Sequence, residues 1–378
     1  MDVNSGQALT SRHFTAIVVV MSQNLRRIVV LVPAHNEQES IRDTITALTT
    51  QTREPDLIVV IPNGCTDRTA EIAREYPVEV FELPRLPHGK SEALNLAWHK
   101  YAADAFMVVT VDADTVLVPN AVSDWETEML ANPKLAGSSS KFTMQQPGIL
   151  SRLQKAEFAT WTQTALNRKS THVLAGTGCA IRGSALREVA DMPDREGPWS
   201  YQSATEDFEI TYQIRRLGGK CHVSPTVRAY TDSMRTVRAL WGQRLKWQVG
   251  TIEDLLRVGV NRLTLRDWWQ QALGLLNALL KLLWIYVIFG AIIIGVFQFI
   301  WFWWCVPIVF AAVEAKRALR IPHRDRKDMW LAGAFIFYEM FSWMRSAWFV
   351  VSWFAVIRTR VTGVRVDRWQ AQYVAEGV

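Results

Sequence analysis

The first two thirds of the chain alternate between short, continuous apolar runs and amphipathic segments. Four runs rich in β-branched residues are predicted to be strands: RIVVLVPA, DLIVVIPN, VEVFEL and AFMVVTVDAD. Their apolar residues are consecutive, so these strands are expected to be buried on both faces. Segments with helical spacing start near Glu37, Thr66, Lys90 and Asn120. This order predicts an α/β fold with a mostly parallel, doubly wound sheet within residues 27–230.

The pattern changes in the last third of the chain. Residues 272–313 are mostly apolar and contain one charge, Lys281, and the segment is long enough for a hairpin of two membrane-crossing helices. Residues 329–357 are also apolar but carry Glu339 and Arg345, so this segment is predicted to be interfacial or re-entrant. Basic clusters follow both segments, which places both clusters on the cytoplasmic side.

These patterns divide the chain into three predicted regions. They are an N-terminal extension (residues 1–24), a cytosolic catalytic domain (25–260) and a membrane region (261–378) with a basic C-terminal tail. The apolar residues 14–21 are too short to span a bilayer and precede no convincing cleavage site, so no secretory signal is expected. We therefore predict a multi-pass protein of the plasma membrane with its catalytic domain in the cytoplasm.

Charge and cysteine content narrow the class of protein. The net charge is +6, and much of the basic excess lies in residues 316–327 and 358–368 beside the apolar segments. That position favours lipid headgroups and argues against a nucleic-acid partner. The four cysteines are widely spaced, so they are predicted to be reduced thiols and not disulfides or a zinc site.

Polar residues cluster where the predicted strands end, at the edge where such sheets bind ligands. They are His35, Asn36, Glu37, Asn63, Asp67, Asp112 and Asp114. Asp112 and Asp114 share a face because alternate strand residues do, and their oxygens suit Mg²⁺ or Mn²⁺. An Asp-x-Asp motif is expected about once by chance in such a chain, so its context must support it.

That context is an ordered set of seven segments: VPAHNEQESI, PNGCTDRTAEIA, LPHGKSEALNLA, DAD, GTGCAIR, TED and QRLKW. In this order they resemble the membrane-associated family 2 glycosyltransferases, which include cellulose, chitin and hyaluronan synthases and ceramide glucosyltransferase. The resemblance covers residues 28–247 and the following membrane helices. It implies a GT-A fold and an inverting, metal-dependent transfer of a sugar from a nucleoside-diphosphate sugar.

The resemblance also implies roles for particular residues. Asp114 is the metal ligand, and Asp112 contacts the nucleotide directly or through the ion. Asp207 is favoured over Glu206 as the general base. The acceptor side is formed by Gly178, Cys179 and Trp247. The nucleotide-binding residues are Pro33, His35, Glu37, Asn63, Asp67, Lys90, Asp112, Gln243, Arg244 and Lys246.

Two positions depart from the family pattern. Lys246 stands where the family motif Gln-x-x-Arg-Trp has arginine, which keeps the charge but loses bidentate phosphate recognition, so Arg244 is a candidate to compensate. Asn63 stands where many relatives have an aspartate that faces the base, and an amide both donates and accepts hydrogen bonds. UDP is the favoured nucleotide, with GDP and a deoxythymidine diphosphate left open.

The acceptor is the more open question. Processive members of the family usually have more helices, so a non-processive enzyme acting on a lipid, polyprenyl phosphate or lipid-linked glycan in the bilayer is favoured. A processive or short-chain polysaccharide synthase and an enzyme acting on a protein acceptor are the alternatives, and homo-oligomers stay open. A small membrane transport protein is the non-enzyme alternative. A Rossmann oxidoreductase is disfavoured because no Gly-x-Gly-x-x-Gly follows the first strand.

Overall fold

The computed structural model describes residues 26–296, 309, 312–313, 315–364 and 366–376. The predicted N-terminal extension, Cys305 and most of the second arm of the predicted hairpin lie outside these residues. The chain forms two compact units. Unit 1 comprises Met1–Ser140, Leu174–Trp199 and Leu217–Val227, and unit 2 comprises Lys141–Val173, Ser200–Arg216 and Arg228–Val378.

The strands form one sheet in the order β3-β2-β1-β4-β7-β6-β8-β5. Their bounds are β1 Ile28–Ala34, β2 Leu57–Pro62, β3 Glu79–Val80, β4 Met107–Thr110, β5 Val116–Leu117, β6 Leu135–Thr143, β7 Cys179–Arg182 and β8 Lys220–Tyr230. The pairs β1–β2, β1–β4 and β2–β3 are parallel, whereas β7 pairs antiparallel with both β4 and β6. The predicted, mostly parallel sheet is therefore confirmed, with an antiparallel addition on one side.

The four predicted strands are present, although VEVFEL is ordered as a strand only at Glu79–Val80. Five of the seven residues of β1 form one continuous buried run, as the unbroken apolar run predicted. Strand β1 lies in register with β2, where Val32 faces Val60, and with β4, where Val30 faces Val109. These central strands make up the core of unit 1.

Helices flank the strands in unit 1 and dominate unit 2. Unit 1 holds α1 Ile41–Thr49, α2 Thr69–Ala73, α3 Gly89–Ala97, α4 Ala121–Ala131 and α6 Gly183–Ala190. Unit 2 holds α5 Ile149–Arg168, α7 Glu206–Arg216, α8 Val237–Val258, α9 Leu265–Ile293, α10 Arg326–Gly333, α11 Phe335–Thr362 and α12 Arg368–Glu376.

Helix α8 begins and ends where its sequence signals predict. The side chain of Thr236 caps the first turn by accepting a hydrogen bond from the backbone N–H of Ala239 at 3.1 Å. Gly259 ends the helix with a positive φ of 73°, which a side chain would disfavour. Helix α8 packs into the core of unit 2, where Leu240 lies in one cluster with Leu153 and Phe341.

Two helices among the described residues are long and apolar enough to cross a membrane. They are Leu265–Ile293, of which only 6% of the most apolar window is buried, and Ile336–Thr362, of which 22% is buried. The segment predicted to be interfacial, residues 329–357, begins in α10 and continues in α11 after a break at Ala334. Its place relative to a bilayer stays a prediction. Polar pairs join α9 and α11: Lys281 donates to Ser342 at 2.7 Å and Asn277 donates to Ser346 at 3.1 Å.

Candidate functional site

The Asp-x-Asp motif in unit 1 follows β4 directly. Burial alternates along it, because Val111, Ala113 and Thr115 are buried while Asp112 and Asp114 are partly exposed. The hydroxyl of Thr44 donates to the carbonyl of Ala113 at 2.8 Å and fixes the segment between the two acids. The strand itself ends at Thr110, so the motif lies in the turn after β4 and not, as the sequence had predicted, in the strand. Its two carboxylates nevertheless lie on the accessible side of the chain.

Asp112 is paired with Lys90 in the first turn of α3. The Nζ atom of Lys90 lies 2.6 Å from Oδ1 of Asp112, and the two side chains are 17% and 32% exposed. A charge-assisted hydrogen bond of this length is strong, yet both groups remain within reach of a ligand. This pair unites two residues that the sequence assigned to the nucleotide from segments more than 20 residues apart.

Gly176 makes room for this pair. A Cβ atom at this position would lie 2.9 Å from Lys90 Nζ and 3.1 Å and 3.2 Å from the two carboxylate oxygens of Asp112. The carbonyl of Gly176 also accepts a hydrogen bond from the backbone N–H of Asp112 at 3.0 Å. The GTGCAIR segment thus supplies backbone, and no side chain, against the ion pair.

The ends of β1 and β2 meet at the same edge of the sheet. The Nδ1 atom of His35 lies 2.8 Å from the carbonyl oxygen of Asn63, whose backbone N–H donates to Ala34 at 2.9 Å. The side-chain oxygen of Asn63 accepts from the backbone N–H of Leu86 at 3.1 Å. This bond uses one of the two lone pairs of that oxygen, and the contact of Asn63 with a nucleotide base stays a prediction.

Asp67 organises the turn before α2. Its Oδ1 accepts from the backbone and hydroxyl of Thr69 at 3.0 Å and 2.5 Å, and its Oδ2 accepts from the backbone of Gln38 at 3.0 Å. Burial alone would raise the pKa of Asp67, but these hydrogen bonds outweigh it and the pKa lies below its usual value. Asp67 is therefore an ionised group with a structural task in this turn.

Glu37 and Pro33 complete the predicted nucleotide side of unit 1. The carboxylate of Glu37 accepts from Ser40 Oγ at 2.6 Å, and its carbonyl accepts from the backbone of Ile41, the first residue of α1. Pro33 lies within β1 opposite Ile61. Both residues thus shape the strand end, and their contact with a nucleotide stays a prediction.

Gly178 and Cys179 are the two residues of unit 1 that were predicted to contact the acceptor. The carbonyl of Gly178 accepts from the backbone of Ser140 at 2.8 Å, which holds the segment before β7. Cys179 is only 2% exposed, and its Sγ lies 3.1 Å from the hydroxyl of Thr110. The thiol packs inside the sheet, which argues against its predicted contact with an acceptor.

The Asp-x-Asp carboxylates fit a hard divalent cation. No cluster of three or more His, Cys, Asp or Glu side chains that suits a metal occurs in the described part of the chain. Mg²⁺ is usually held by one or two carboxylates together with substrate phosphates and water, so two acids suffice for such a site. Lys90 occupies Oδ1 of Asp112, whereas Asp114 accepts at Oδ1 from the hydroxyl of Thr115 at 3.0 Å.

In unit 2, Glu206 and Asp207 begin α7. Glu206 is 7% exposed, whereas Asp207 is half-buried. Oδ1 of Asp207 accepts from the backbone N–H of Phe208 at 2.8 Å, and its carbonyl accepts from the hydroxyl of Thr211 at 2.5 Å. The greater access of Asp207 is consistent with its predicted choice over Glu206 as the base, a choice that stays a prediction.

Arg244 of the QRLKW segment is buried among aromatic rings in unit 2. Its guanidinium carbon lies 4.9 Å, 5.2 Å and 4.6 Å from the ring centroids of Phe158, Trp161 and Trp247. Its Nη2 lies 3.0 Å from Oε2 of Glu157, and the two side chains are 4% and 6% exposed. Burial lowers the pKa of Arg244, and the charge of Glu157 opposes that shift.

Lys246 is covered by the C-terminal helix α12. Its Nζ lies 2.9 Å from the ring centroid of Trp369, and Lys246 is 4% exposed. Gln243, in contrast, is half-buried, and its side-chain oxygen has no hydrogen-bond partner among the described residues. The predicted contact of Lys246 with a diphosphate therefore requires α12 to move away from α8.

Several residues of these arrangements carry no recognisable signal in the sequence. Glu157 and Trp161 lie on α5, far along the chain from the QRLKW segment, and Trp369 lies beyond the predicted membrane segments. Asp254, which is 2% exposed, lies on α8 beyond the motif. Only spatial proximity identifies them. The indole rings near the motif are the one hint, since 17 tryptophans are a high content for this length.

Comparison with known proteins adds a family and a fold. A family model described as glycosyl transferase family group 2 matches residues 107–315, more than half of the chain. The chain is 26% identical over 259 residues to a poly-β-1,6-N-acetyl-D-glucosamine synthase of Staphylococcus epidermidis. That alignment covers 66% of this chain and 61% of the staphylococcal protein. The enzyme of that name from Staphylococcus aureus (strain COL) is 25% identical over 268 residues. This alignment covers 70% of this chain and 64% of the length of that enzyme. The chain thus spans less than two thirds of either relative.

One solved structure has a similar fold over most of the chain. The mannosyltransferase PcManGT from Pyrobaculum calidifontis, in complex with GDP-Man and Mn²⁺, aligns with a TM-score of 0.56 at 17% identity. The alignment covers 88% of this chain and 96% of that protein. At this level of identity the likeness concerns the fold, and it agrees with the GT-A architecture that the sequence predicts.

Proposed function

The chain belongs to glycosyl transferase family group 2, and we propose that it transfers a sugar from a nucleoside-diphosphate sugar to an acceptor presented at a membrane. The observation that carries this proposal is the Lys90–Asp112 pair beside Asp114 at the carboxyl edge of a parallel sheet. A cation and two accessible acids at this edge suit a diphosphate and its counterion.

Each predicted residue at the carboxyl edge of the sheet has a defined task in this proposal. Asp114 and Asp112 would hold Mg²⁺ or Mn²⁺, which when bound would neutralise charge on the diphosphate leaving group. Lys90 donates to a phosphate oxygen, and the side-chain amide of Asn63 hydrogen-bonds the base. UDP is the favoured nucleotide. The staphylococcal relatives build a polymer of N-acetylglucosamine, so UDP-N-acetylglucosamine is the first donor to test, and the GDP-Man complex of the mannosyltransferase adds GDP-mannose.

Asp207 acts as the general base. It takes the proton from the acceptor hydroxyl, whose oxygen forms a bond to the anomeric carbon while the bond from that carbon to the diphosphate oxygen breaks. The nucleoside diphosphate leaves with the bonding electrons, and the anomeric configuration inverts. A positioned carboxylate contributes roughly 10²- to 10⁴-fold to such a step.

The acceptor is proposed to come from the bilayer. Helices α9 and α11 expose apolar residues along most of their length, which suits lipid contact. Trp247, with one ring face against Arg244, offers an aromatic surface typical of sugar and interfacial contacts. A lipid, polyprenyl phosphate or lipid-linked glycan is the favoured acceptor, with repeated transfer to a growing polysaccharide as the second candidate because of the staphylococcal relatives.

A donor panel tests this proposal. Detergent-solubilised protein is incubated with UDP-N-acetylglucosamine, UDP-glucose and GDP-mannose, with Mn²⁺ or Mg²⁺ and a membrane lipid extract, and free nucleoside diphosphate is measured. One donor is expected to react, and Asp207→Asn is expected to lower kcat by about 10³-fold while the donor still binds. Glu206→Gln in the same assay is expected to have the smaller effect. Absence of release from every donor would overturn the proposal.

The product separates the two acceptor candidates. Mass spectrometry of the reaction is expected to show lipid acceptors extended by one or a few sugars. A ladder of long chains would favour the polysaccharide synthase. Equal transfer to water-soluble oligosaccharides and to lipid acceptors would contradict a membrane-presented acceptor.

A further inference from the structure

We infer that Asp254 is a positioning residue that holds the start of α7, and with it Asp207, in the geometry that the transfer step requires. Asp254 lies on α8 in unit 2 and is not part of any segment that suggested a function. The inference rests on the proposed role of Asp207 as the base.

The carboxylate of Asp254 fastens the segment that precedes the two acids of α7. Its Oδ2 accepts hydrogen bonds from the hydroxyls of Ser203 at 2.6 Å and Thr205 at 3.0 Å. All three residues are buried, with exposures of 2%, 8% and 5%. The backbone N–H of Thr205 also donates to Ser203 Oγ at 3.1 Å, so the two hydroxyls and the carboxylate form one network.

Arg257 closes this network from the other side. Its Nη1 donates to Oδ1 of Asp254 at 2.8 Å, and its Nη2 donates to the carbonyl of Gln202 at 2.7 Å. Both oxygens of Asp254 are therefore engaged, and the chain is held at Gln202, Ser203 and Thr205. A buried carboxylate with this many donors is positioned by the fold and in turn positions what it binds.

Gly250 allows α8 to approach this segment closely. A Cβ atom at Gly250 would lie 2.8 Å from Cγ2 and 3.0 Å from Oγ1 of Thr205. Gly250 is one helical turn before Asp254, so both residues lie on the same face of α8. On this face, Gly250 leaves room for Thr205 and Asp254 accepts its hydrogen bond.

The network determines where α7 begins. The carbonyl of Thr205 accepts the first helical hydrogen bond, from Glu209, at 3.1 Å. Thr205 is two residues before Asp207, so a displacement of Thr205 passes directly to the base through the backbone. A shift of about 1 Å at a catalytic group costs roughly 100-fold in rate. Asp254 also shares α8 with Trp247, so one rigid helix carries both the anchor for the base and the proposed acceptor contact.

The test compares substitutions that remove or keep individual hydrogen bonds. With the donor that the wild type uses, Asp254→Asn is expected to lower kcat roughly 10- to 100-fold with donor KM within about twofold. Thr205→Val, which removes one hydroxyl, is expected to lose roughly 10-fold in kcat, and Thr205→Ser, which keeps the hydroxyl, is expected to restore most of it. Glu253→Gln on the neighbouring position of α8 is the matched control and is expected to behave as wild type.

A double-mutant cycle separates positioning from a general loss of folded protein. If Asp254 acts through Asp207, then Asp254→Asn is expected to reduce the residual rate of Asp207→Asn by less than about twofold. An equal loss in both backgrounds, or equal kcat for Thr205→Val and Thr205→Ser, would overturn the inference. An inactive wild type contradicts the proposed function itself, whereas an active wild type with a fully active Asp254→Asn contradicts only this inference.

Discussion

Two ion pairs in this protein have similar lengths and opposite surroundings. In unit 1, Lys90 Nζ lies 2.6 Å from Asp112 Oδ1 with side chains 17% and 32% exposed. In unit 2, Arg244 Nη2 lies 3.0 Å from Glu157 Oε2 with side chains 4% and 6% exposed. The first pair is partly exposed, and the proposed function requires a charged ligand to reach it. The second pair is closed off by three aromatic rings, so its charges serve the fold.

The comparison shows that a cation in a motif segment is not automatically a ligand contact. Arg244 belongs to the QRLKW segment, and its charge suggested a contact with the diphosphate. Burial places that charge against Glu157 and behind the ring of Trp247, where it orients the aromatic surface. Lys90 lies in a less distinctive segment, yet it is the more exposed of the two cations, and its contact with a phosphate stays a prediction.

Breaking the buried pair is expected to have the largest effect on stability. Glu157→Gln leaves the charge of Arg244 buried without its carboxylate, and removal of one partner of a buried pair costs about 3–5 kcal/mol. The matched control is Glu71→Gln, because Glu71 pairs with Arg68 at 3.1 Å with both side chains about two thirds exposed. The control is expected to change stability by less than about 1 kcal/mol. Equal midpoints of thermal unfolding for the two variants would contradict the distinction.

A pH series tests a second buried carboxylate of unit 2. Burial raises the pKa of Asp254 to about 6, although its hydrogen bonds from Ser203 and Thr205 and the charge of Arg257 oppose the shift. The folded state therefore holds this proton more tightly than the unfolded state does. The contribution of Asp254 to the free energy of unfolding is expected to fall by about 3 kcal/mol in total as pH rises from about 4 to about 6. Above that range it is expected to stay constant. The free energies of unfolding of wild type and Asp254→Asn are compared across this range to isolate that contribution. A difference that does not change with pH would contradict the raised pKa of Asp254.

Removal of the charge of Lys90 is expected to weaken donor binding and to leave the stability of the protein nearly unchanged. Lys90→Met removes a charged hydrogen bond to a phosphate, worth about 1.5–3 kcal/mol, so donor KM is expected to rise roughly 10- to 100-fold. The unfolding midpoint is expected to change little, since partly exposed pairs contribute about 0–1 kcal/mol. Lys134→Met, at an exposed position of unit 1, is the control for loss of charge. Unchanged donor KM with a large fall in stability would assign Lys90 to the scaffold.

The smallest effect is expected where the Lys90–Asp112 pair is displaced but kept. Gly176→Ala places a methyl group 2.9 Å from Lys90 Nζ, and the flexible lysine can move aside. A loss of about tenfold in kcat/KM is expected, a cost typical of small displacements at a binding group. Gly333→Ala, where a Cβ atom meets nothing within 4 Å, is the control. An unchanged kcat/KM would mean that the observed distance between Lys90 and Asp112 is unimportant.

Much of unit 1 was predictable because its signals are local. Unbroken runs of valine, isoleucine and leucine identify β1, β2 and β4, and polar residues at their ends mark the binding edge. Strand β6 was not predicted, because its centre is three serines, Ser138, Ser139 and Ser140, which are buried by pairing and not by apolar side chains. Helix α5 also lacked a clear apolar stripe, since buried Gln154 and Glu157 interrupt it.

The arrangement of unit 2 was less accessible to sequence analysis. The bounds of α7 and α8 follow from local caps and acids, but the partners of Arg244, Lys246 and Asp254 come from distant parts of the chain. A single glutamate or threonine in a helix or loop is usually solvated, so nothing distinguishes Glu157 or Thr205 before the chain is folded. Positions that depend on tertiary pairing of charges therefore need coordinates.

The central claim is that the acids after β4 bind the donor together with a divalent cation. Isothermal titration of the donor into wild-type protein and Asp114→Ala, each with and without Mn²⁺, tests it without the need for an acceptor. Wild-type affinity is expected to require Mn²⁺, and Asp114→Ala is expected to bind at least about tenfold more weakly and with little response to the metal. Equal, metal-dependent affinity in both proteins would contradict the claim.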